Sequence, residues 1–234
     1  MDKRKLIIAL RLILGVATVA ALIRQFNLGS GGSPANFFSY FTNLTNIILV
    51  FVYFSGAWTL IQGRQPSVKQ EILRGGSVVF ILVVGLVYEV MLRSSIESLY
   101  SWSNLVVHYI NPIMALVDWL IMPPQHKLPK GAWWYWLIFP LGYLAYTLLR
   151  GPLAGWYPYG FLNPIEQGGY GGVAIYSVAI TALFLFFSWI VLKLTRTPAG
   201  PVTAKRSASK PVKKAAKKAT KKATKKTAKT KTRR

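Results

Sequence analysis

The chain has no cysteine, only two histidines and only six acidic residues. Without cysteine it can form no disulfide, no thiolate nucleophile and no cysteine-ligated metal site. It also lacks the G-x-S-x-G motif of α/β-hydrolases, the H-E-x-x-H motif of zinc proteases and a glycine-rich phosphate loop. We therefore expect no metal and no cofactor. His126, in the polar segment "PPQHKLPK", is expected to be solvated.

What is present falls into an apolar part and a basic end. The 234 residues are 53% hydrophobic, yet the formal charge is +23. Residues 205–234 hold fifteen Lys or Arg and no acid, which leaves fourteen bases against six acids in residues 1–204. We expect a membrane domain over residues 1–195 and a Lys-rich tail over 196–234. Because its charges repel and it lacks large apolar side chains, the tail is predicted to be disordered.

Six apolar runs each approach the twenty residues that a bilayer-spanning helix requires. They predict an all-α integral membrane protein, a bundle of six transmembrane helices. The first run, "MDKRKLIIALRLILGVATVAA", also resembles a signal peptide, but Arg11 interrupts its apolar stretch and favours an uncleaved span. The predicted spans are 6–23, 37–61, 77–92, 104–122, 131–149 and 171–192.

The distribution of Lys and Arg in the connecting segments predicts the orientation. The N-terminus and alternate connectors are richer in bases than the connectors between them, and cytoplasmic loops carry the excess. Both termini are therefore expected in the cytoplasm. The richer set is Lys3, Arg4, Lys5, Arg64, Lys69, Arg74, Lys127 and Lys130, against Arg24, Arg93 and Arg150 in the other connectors.

The fourth run, "NLVVHYINPIMALVDWL", carries four polar side chains. At about 100° per residue, Asn104, His108, Asn111 and Asp118 share one stripe of the helix, here called the polar seam. Polar groups within a membrane span face the bundle interior or a cavity. Asp118 lies about 15 Å from His108 along the axis, too far for a hydrogen bond. Arg11 lies at a similar depth, so we expect an Arg11–Asp118 pair or snorkelling of Arg11 to the surface.

Three other features converge on the outer side of the predicted bundle. Thr42 opens the second span within "FFSYFTNLTNII", Glu89 ends the third, and His108 begins the fourth. Arg93 follows Glu89 at i+4 and is placed to pair with it. The aromatic connector "GPLAGWYPYGFLNPIEQGGYGG" lies on the same side. The convergence fits either a site or interhelical hydrogen bonding of the kind common in membrane bundles.

Three segments resemble a known family. They are "YFTNLTNIILVFVYF", "NLVVHYINPIMALVDWL" and "GWYPYGFLNP". They are similar to segments of the androgen-induced (AIG-like, FAR-type) six-span proteins, and most of all to their bacterial relatives, the "Pr-six-Pr" membrane proteins. The resemblance covers roughly residues 5–195. It implies a six-span fold and, with the bacterial relatives, a bacterial plasma membrane.

The resemblance also implies a chemistry. Eukaryotic members are threonine hydrolases that cleave fatty acid esters of hydroxy fatty acids with a Thr and a His inside the membrane. Those two residues match Thr42 and His108, and the Pro and acid later in the fourth span match Pro112 and Asp118. Where the eukaryotic proteins have an Asp after the Thr, this chain has Thr45 and Asn46.

A threonine hydroxyl becomes a nucleophile when a base removes its proton, and His is the usual base near neutral pH. We hypothesise that Thr42 attacks an ester carbonyl and that His108 is the base. Glu89 or an Asn would orient His108. Amide side chains would donate hydrogen bonds to the oxyanion or support the site. The supporting residues in this hypothesis are Glu89, Asn43, Asn46, Asn104 and Asn111.

Two other functions remain open on the sequence. The polar seam suits the pathway of a transporter or channel, although the two halves show no internal repeat and Pro140 is the one candidate for a broken helix. Alternatively, the protein is a non-enzymatic membrane protein whose tail, residues 205–234, binds DNA or anionic lipid. The hydrolase hypothesis implies a lipid ester as the partner, beside the membrane lipids themselves.

Overall fold

In the computed structural model, residues 2–29, 31–93 and 101–195 are described, and they are helical apart from their connectors. Six of the helices are long and apolar enough to cross a membrane. The fold is that of an all-α integral membrane protein with six membrane-spanning helices. In chain order the α-helices are α1 Lys3–Arg24, α2 Pro34–Phe37, α3 Phe41–Ile61, α4 Val68–Val87, α5 Trp102–Leu105, α6 Asn111–Ile121, α7 Ala132–Ala154 and α8 Tyr170–Leu194.

Besides the π-helical turn Gln25–Gly29 at the end of the first span, the third and fourth spans each contain a π-helical turn, a widened turn that is frequent at functional sites. The turn Tyr88–Leu92 continues α4, so the third span runs from Val68 to Leu92. The turn Val106–Ile110 joins α5 to α6, so the fourth span runs from Trp102 to Ile121. His108 therefore lies in one π-helical turn and Tyr88 in the other.

The beginning of the third span differs from the predicted residue 77. Helix α4 begins nine residues earlier because Ser67 and Gln70 form a capping box. Arg74, which the sequence placed in a cytoplasmic connector, thus lies inside the helix and is buried. The second span likewise begins at Phe41 rather than at 37, after the separate short helix α2.

The helices alternate in direction, as contacts at their ends show. The Arg4 side chain donates hydrogen bonds to the carbonyl of Leu60, so α1 begins where α3 ends. At the other end, Arg24 Nη1 donates to Ser103 Oγ at 2.9 Å. We call the first the N-terminal end of the bundle and the second the opposite end. Helix α7 continues through Pro140 and ends at Ala154, followed by the capping residue Gly155, whose φ of +72° favours glycine.

The core is built around α4, whose side chains Val79 and Ile81 are completely buried. Aromatic rings from α3, α4, α7 and α8 pack beside it, with Phe41 stacked on Phe139 at 5.2 Å between centroids. Helices α7 and α8 have the smallest buried fraction of the six. Their outer faces carry large exposed apolar side chains, as expected for surfaces that contact lipid.

Candidate functional site

At the N-terminal end, Asp118 binds two buried arginines. Arg11 forms a bidentate pair with it, at 2.7 Å from Nε to Oδ1 and 2.9 Å from Nη2 to Oδ2. Arg74 Nη1 lies 3.1 Å from Oδ2, and its guanidinium stacks over Trp119 at 4.7 Å. A paired, hydrogen-bonded arrangement is the condition under which buried charges are tolerated. This cluster joins α1, α4 and α6.

A second acid stabilises the connector between α6 and α7. Glu71 is almost completely buried, and its carboxylate accepts the backbone N–H groups of Gln125 and His126. His126 Nδ1 lies 2.9 Å from the same carboxylate, while the ring remains 42% exposed. The histidine expected to be merely solvated therefore contacts Glu71.

The middle of the polar seam is an amide network between three helices. Asn111 Nδ2 donates to Asn46 Oδ1 at 2.6 Å and to Thr18 Oγ1 at 3.0 Å. Asn46 Nδ2 donates in turn to the carbonyls of Thr42 at 2.8 Å and Val107 at 3.4 Å. Both amides therefore direct their N–H groups at partners within the bundle rather than at the Thr42 hydroxyl.

Two further amides also stabilise the bundle at its opposite end. Asn43 Nδ2 donates to the carbonyl of Phe37 at 2.9 Å and so connects α3 to α2. Asn104 Nδ2 donates to the hydroxyl of Tyr88 and connects the fourth span to the third. Asn43 and Asn104 therefore each connect two helices of the bundle.

His108 is buried and packs face to face on Tyr88, with ring centroids 3.8 Å apart. The backbone of Asn104, one turn earlier, is the hydrogen-bonding neighbour of the imidazole. The geometry at the buried Nδ1 falls short of a regular hydrogen bond within the described ranges.

Glu89 does not contact His108. The carboxylate binds Arg93, as the i+4 spacing predicted, and accepts a hydrogen bond from the hydroxyl of Tyr109 at 2.6 Å. Its side chain is 40% exposed. Tyr88, the residue before Glu89, packs against the imidazole instead. The role of orienting His108 that the sequence suggested for Glu89 is therefore not supported by a contact.

Thr42 lies at the opposite end of the bundle, in the first turn of α3. Its backbone N–H donates to the hydroxyl of Tyr159 at 3.3 Å, and its Oγ1 lies 3.4 Å from the same oxygen. Tyr159 belongs to the connector between α7 and α8 and stacks on Phe161 at 5.1 Å. Burial raises the pKa of Tyr159, which keeps its hydroxyl protonated and able to donate.

Thr42 and Tyr159 are among the residues that line a largely apolar cavity. The cavity lies between α3, α4, α7 and α8, and its volume is about 80 Å³. An apolar lining with few polar groups is typical of small-molecule sites, although this cavity is smaller than the usual volume of about 300–1,000 Å³. The lining residues include Phe41, Val83, Val84, Leu137, Leu144, Phe161, Leu162, Ile180 and Phe184.

The structure places the two predicted catalytic residues on either side of Asn46. Thr42 lines the cavity, whereas His108 is not among its lining residues. No hydrogen bond joins them in the described part of the chain. Their connection is indirect, because Asn46 donates to the carbonyls of both Thr42 and Val107, the residue before His108.

Sequence reasoning missed Tyr159 and Arg74. The connector that contains Tyr159 was recognised as aromatic and placed on the outer side, but its spacing does not reveal which of its three tyrosines reaches Thr42.

The residues in the described ranges include no group of three His, Cys, Asp or Glu side chains arranged to hold a metal ion.

Comparison with known proteins found no matching family model, no matching curated protein and no matching solved structure.

Proposed function

We propose that this protein hydrolyses esters of long-chain lipids within the membrane, with Thr42 as the nucleophile. The observation that carries the proposal is the position of Thr42 in the lining of a largely apolar cavity, next to the Tyr159 hydroxyl. The resemblance to six-span threonine hydrolases, which rests on sequence motifs, points to the same residue.

A long-chain ester has an apolar acyl chain and a polar ester group, and the cavity has a place for each. An acyl chain would fill the apolar region between α4, α7 and α8, and its burial is favourable at about 0.8 kcal/mol per methylene group. The ester group would then lie beside the hydroxyl groups of Thr42 and Tyr159, whose oxygens are 3.4 Å apart. Tyr159 accepts the Thr42 N–H, and its own proton would be donated to the ester carbonyl in place of Thr42 Oγ1.

His108 is the general base in this proposal. Thr42 Oγ1 would bond to the carbonyl carbon as His108 takes the hydroxyl proton, and the alcohol would leave with that proton. Water would then cleave the acyl-threonine and return the free acid and the hydroxyl. Because His108 packs on Tyr88, its ring must leave that stack to reach Thr42. Catalytic contacts often tighten only when substrate binds.

The excess of Lys and Arg at the N-terminal end supports a cytoplasmic location for that end. Thr42 and the cavity would then open towards the outer leaflet. The same orientation puts both chain termini in the cytoplasm, and the resemblance supports a bacterial plasma membrane.

A fluorophosphonate probe on membranes that contain the protein tests this function. Covalent labelling of the wild type is expected, with loss of labelling in Thr42→Ala and His108→Ala. Thr59→Ala is the matched control. Thr59 lies at the other end of α3 from Thr42, and its hydroxyl donates a hydrogen bond to the carbonyl of Ser55. Labelling that persists in Thr42→Ala would contradict the assignment of the nucleophile.

A second candidate is lipid binding without turnover. It is favoured by the stacking of His108 on Tyr88, outside the cavity lining. A wild type that binds an acyl ester but neither labels nor releases acid would support this alternative.

The remaining alternatives have less support. Asn104, Asn111 and Asp118 of the polar seam all bind neighbouring helices, which leaves a packed seam instead of a pathway. Residues 205–234, proposed to bind DNA or anionic lipid, lie outside the described residues.

A further inference from the structure

A second apolar groove lies on the same face of α4 as the Thr42 cavity but nearer the start of the helix, and the two share no lining residue. Leu73, Phe80, Trp136 and Phe139 are among the residues that line it, between α4 and α7. Lys69, in the first turn of α4, lines its end. The groove is open and apolar, with one cationic side chain.

The floor of the groove is held in place by Trp136. Its indole N–H donates to the carbonyl of Ile72 at 2.8 Å, so the ring is tied to α4 by a satisfied hydrogen bond. Gly76 makes this contact possible, because a Cβ at that position would come within 2.8 Å of the indole. The groove is therefore preformed rather than a gap between mobile side chains.

The length of the groove corresponds to one leaflet of a bilayer. From Lys69 to Phe80 the helix rises about 16 Å, at 1.5 Å per residue. The hydrocarbon core is about 30 Å thick, so one leaflet contributes about 15 Å. With Lys69 at the level of the headgroups, Phe80 lies near the middle of the membrane.

Lys69 determines which lipid fits best. A lysine at the membrane surface attracts anionic headgroups, and it lies at the N-terminus of α4, where the helix dipole also favours negative charge. The nearest acid in the sequence, Glu71, is buried and occupied by the α6–α7 connector, so it does not neutralise Lys69. Charge and shape thus select a lipid with a negative headgroup and an apolar chain.

We propose that this groove binds one anionic phospholipid from the leaflet at the N-terminal end, with its phosphate at Lys69 and an acyl chain along Leu73, Gly76 and Phe80. The site is distinct from the Thr42 cavity, and the inference does not depend on the proposed hydrolysis. It also differs from attraction of lipid to the tail, because it predicts where the chain lies.

The test uses the full-length protein in vesicles that contain a photoreactive diazirine on the acyl chain of phosphatidylglycerol or of phosphatidylcholine. Crosslinked peptides are identified by mass spectrometry. We expect crosslinks concentrated at residues 69–80 and 135–139, with about a fivefold preference for phosphatidylglycerol. Because crosslinks are located on the chain, binding of lipid to the tail does not contribute to the signal.

Two variants separate charge from shape. Lys69→Gln is expected to abolish the preference between the two lipids at these residues, and Leu73→Trp, which fills the groove, to reduce both crosslinks. Lys5→Gln is the matched control, an exposed lysine at the same end, and should leave the preference unchanged. Equal crosslinking by the two lipids in the wild type, or crosslinks spread evenly over the outer faces of α7 and α8, would overturn the proposal.

Discussion

The hydroxyl oxygen of Tyr159 accepts the backbone N–H of Thr42 at 3.3 Å and lies 3.4 Å from its Oγ1. One residue therefore both caps the first turn of α3 and provides a hydroxyl beside the proposed nucleophile. The two residues are 117 positions apart in the chain. Their proximity is a product of the tertiary fold.

Replacing Tyr159 with Phe removes the hydroxyl and retains the ring. If its proton stabilises the oxyanion, kcat for a long-chain ester should fall about 100-fold with little change in KM. Steady-state hydrolysis by the purified protein in micelles measures both constants. Tyr53→Phe is the control. The Tyr53 hydroxyl is buried on α3, the helix of Thr42, and has no hydrogen-bond partner within the described ranges. Equal losses of kcat in the two variants would argue against a specific role for Tyr159.

Replacing Asp118 with Asn should destabilise the bundle strongly. Arg11 and Arg74 would remain buried without a compensating carboxylate, a situation that costs about 3–5 kcal/mol. Thermal unfolding in micelles provides the measurement. Arg74→Met should be milder, because it leaves the bidentate Arg11–Asp118 pair in place. An unchanged unfolding temperature in Asp118→Asn would show that the cluster contributes little to stability.

Replacing Glu71 with Ala should loosen the connector between α6 and α7. The carboxylate that accepts the N–H groups of Gln125 and His126 would be lost. Trypsin is then expected to cleave faster after Lys127 and Lys130, which lie in this connector, and the rates are followed by gel electrophoresis. In Gln125→Ala the backbone N–H and its bond to Glu71 remain, so cleavage should stay slow. Similar rates in both variants would contradict the prediction.

The sequence was most informative about properties that depend only on position along a helix, namely the length of each span and the depth of a residue within it. Each span needs about twenty apolar residues, because backbone groups in lipid must be hydrogen-bonded within a helix. The depth argument also brought Arg11 and Asp118 to the same level, and they form an ion pair. Both inferences depend on distance along a helix axis, which the sequence specifies at 1.5 Å per residue.

Rotation about the axis was less predictable. Thr42, Glu89 and His108 were expected at one depth, but the structure directs Glu89 to Tyr109 and His108 to Tyr88. A π-helical turn adds a residue to the turn and so changes the direction of every side chain after it. Two such turns lie in these spans, and the apolar pattern contains no sign of them.

By itself the sequence determined six apolar helices, a basic tail and a seam of polar groups that must avoid lipid. The tertiary structure alone decided which partners satisfy that seam. Helix α4 begins at Val68, and Arg74 within it binds Asp118. Tyr159 contacts Thr42, although the two residues are 117 positions apart in the chain. The physical reason is that burial in a membrane is set by the total apolar length of each segment, whereas a hydrogen bond depends on how helices rotate and pack against each other.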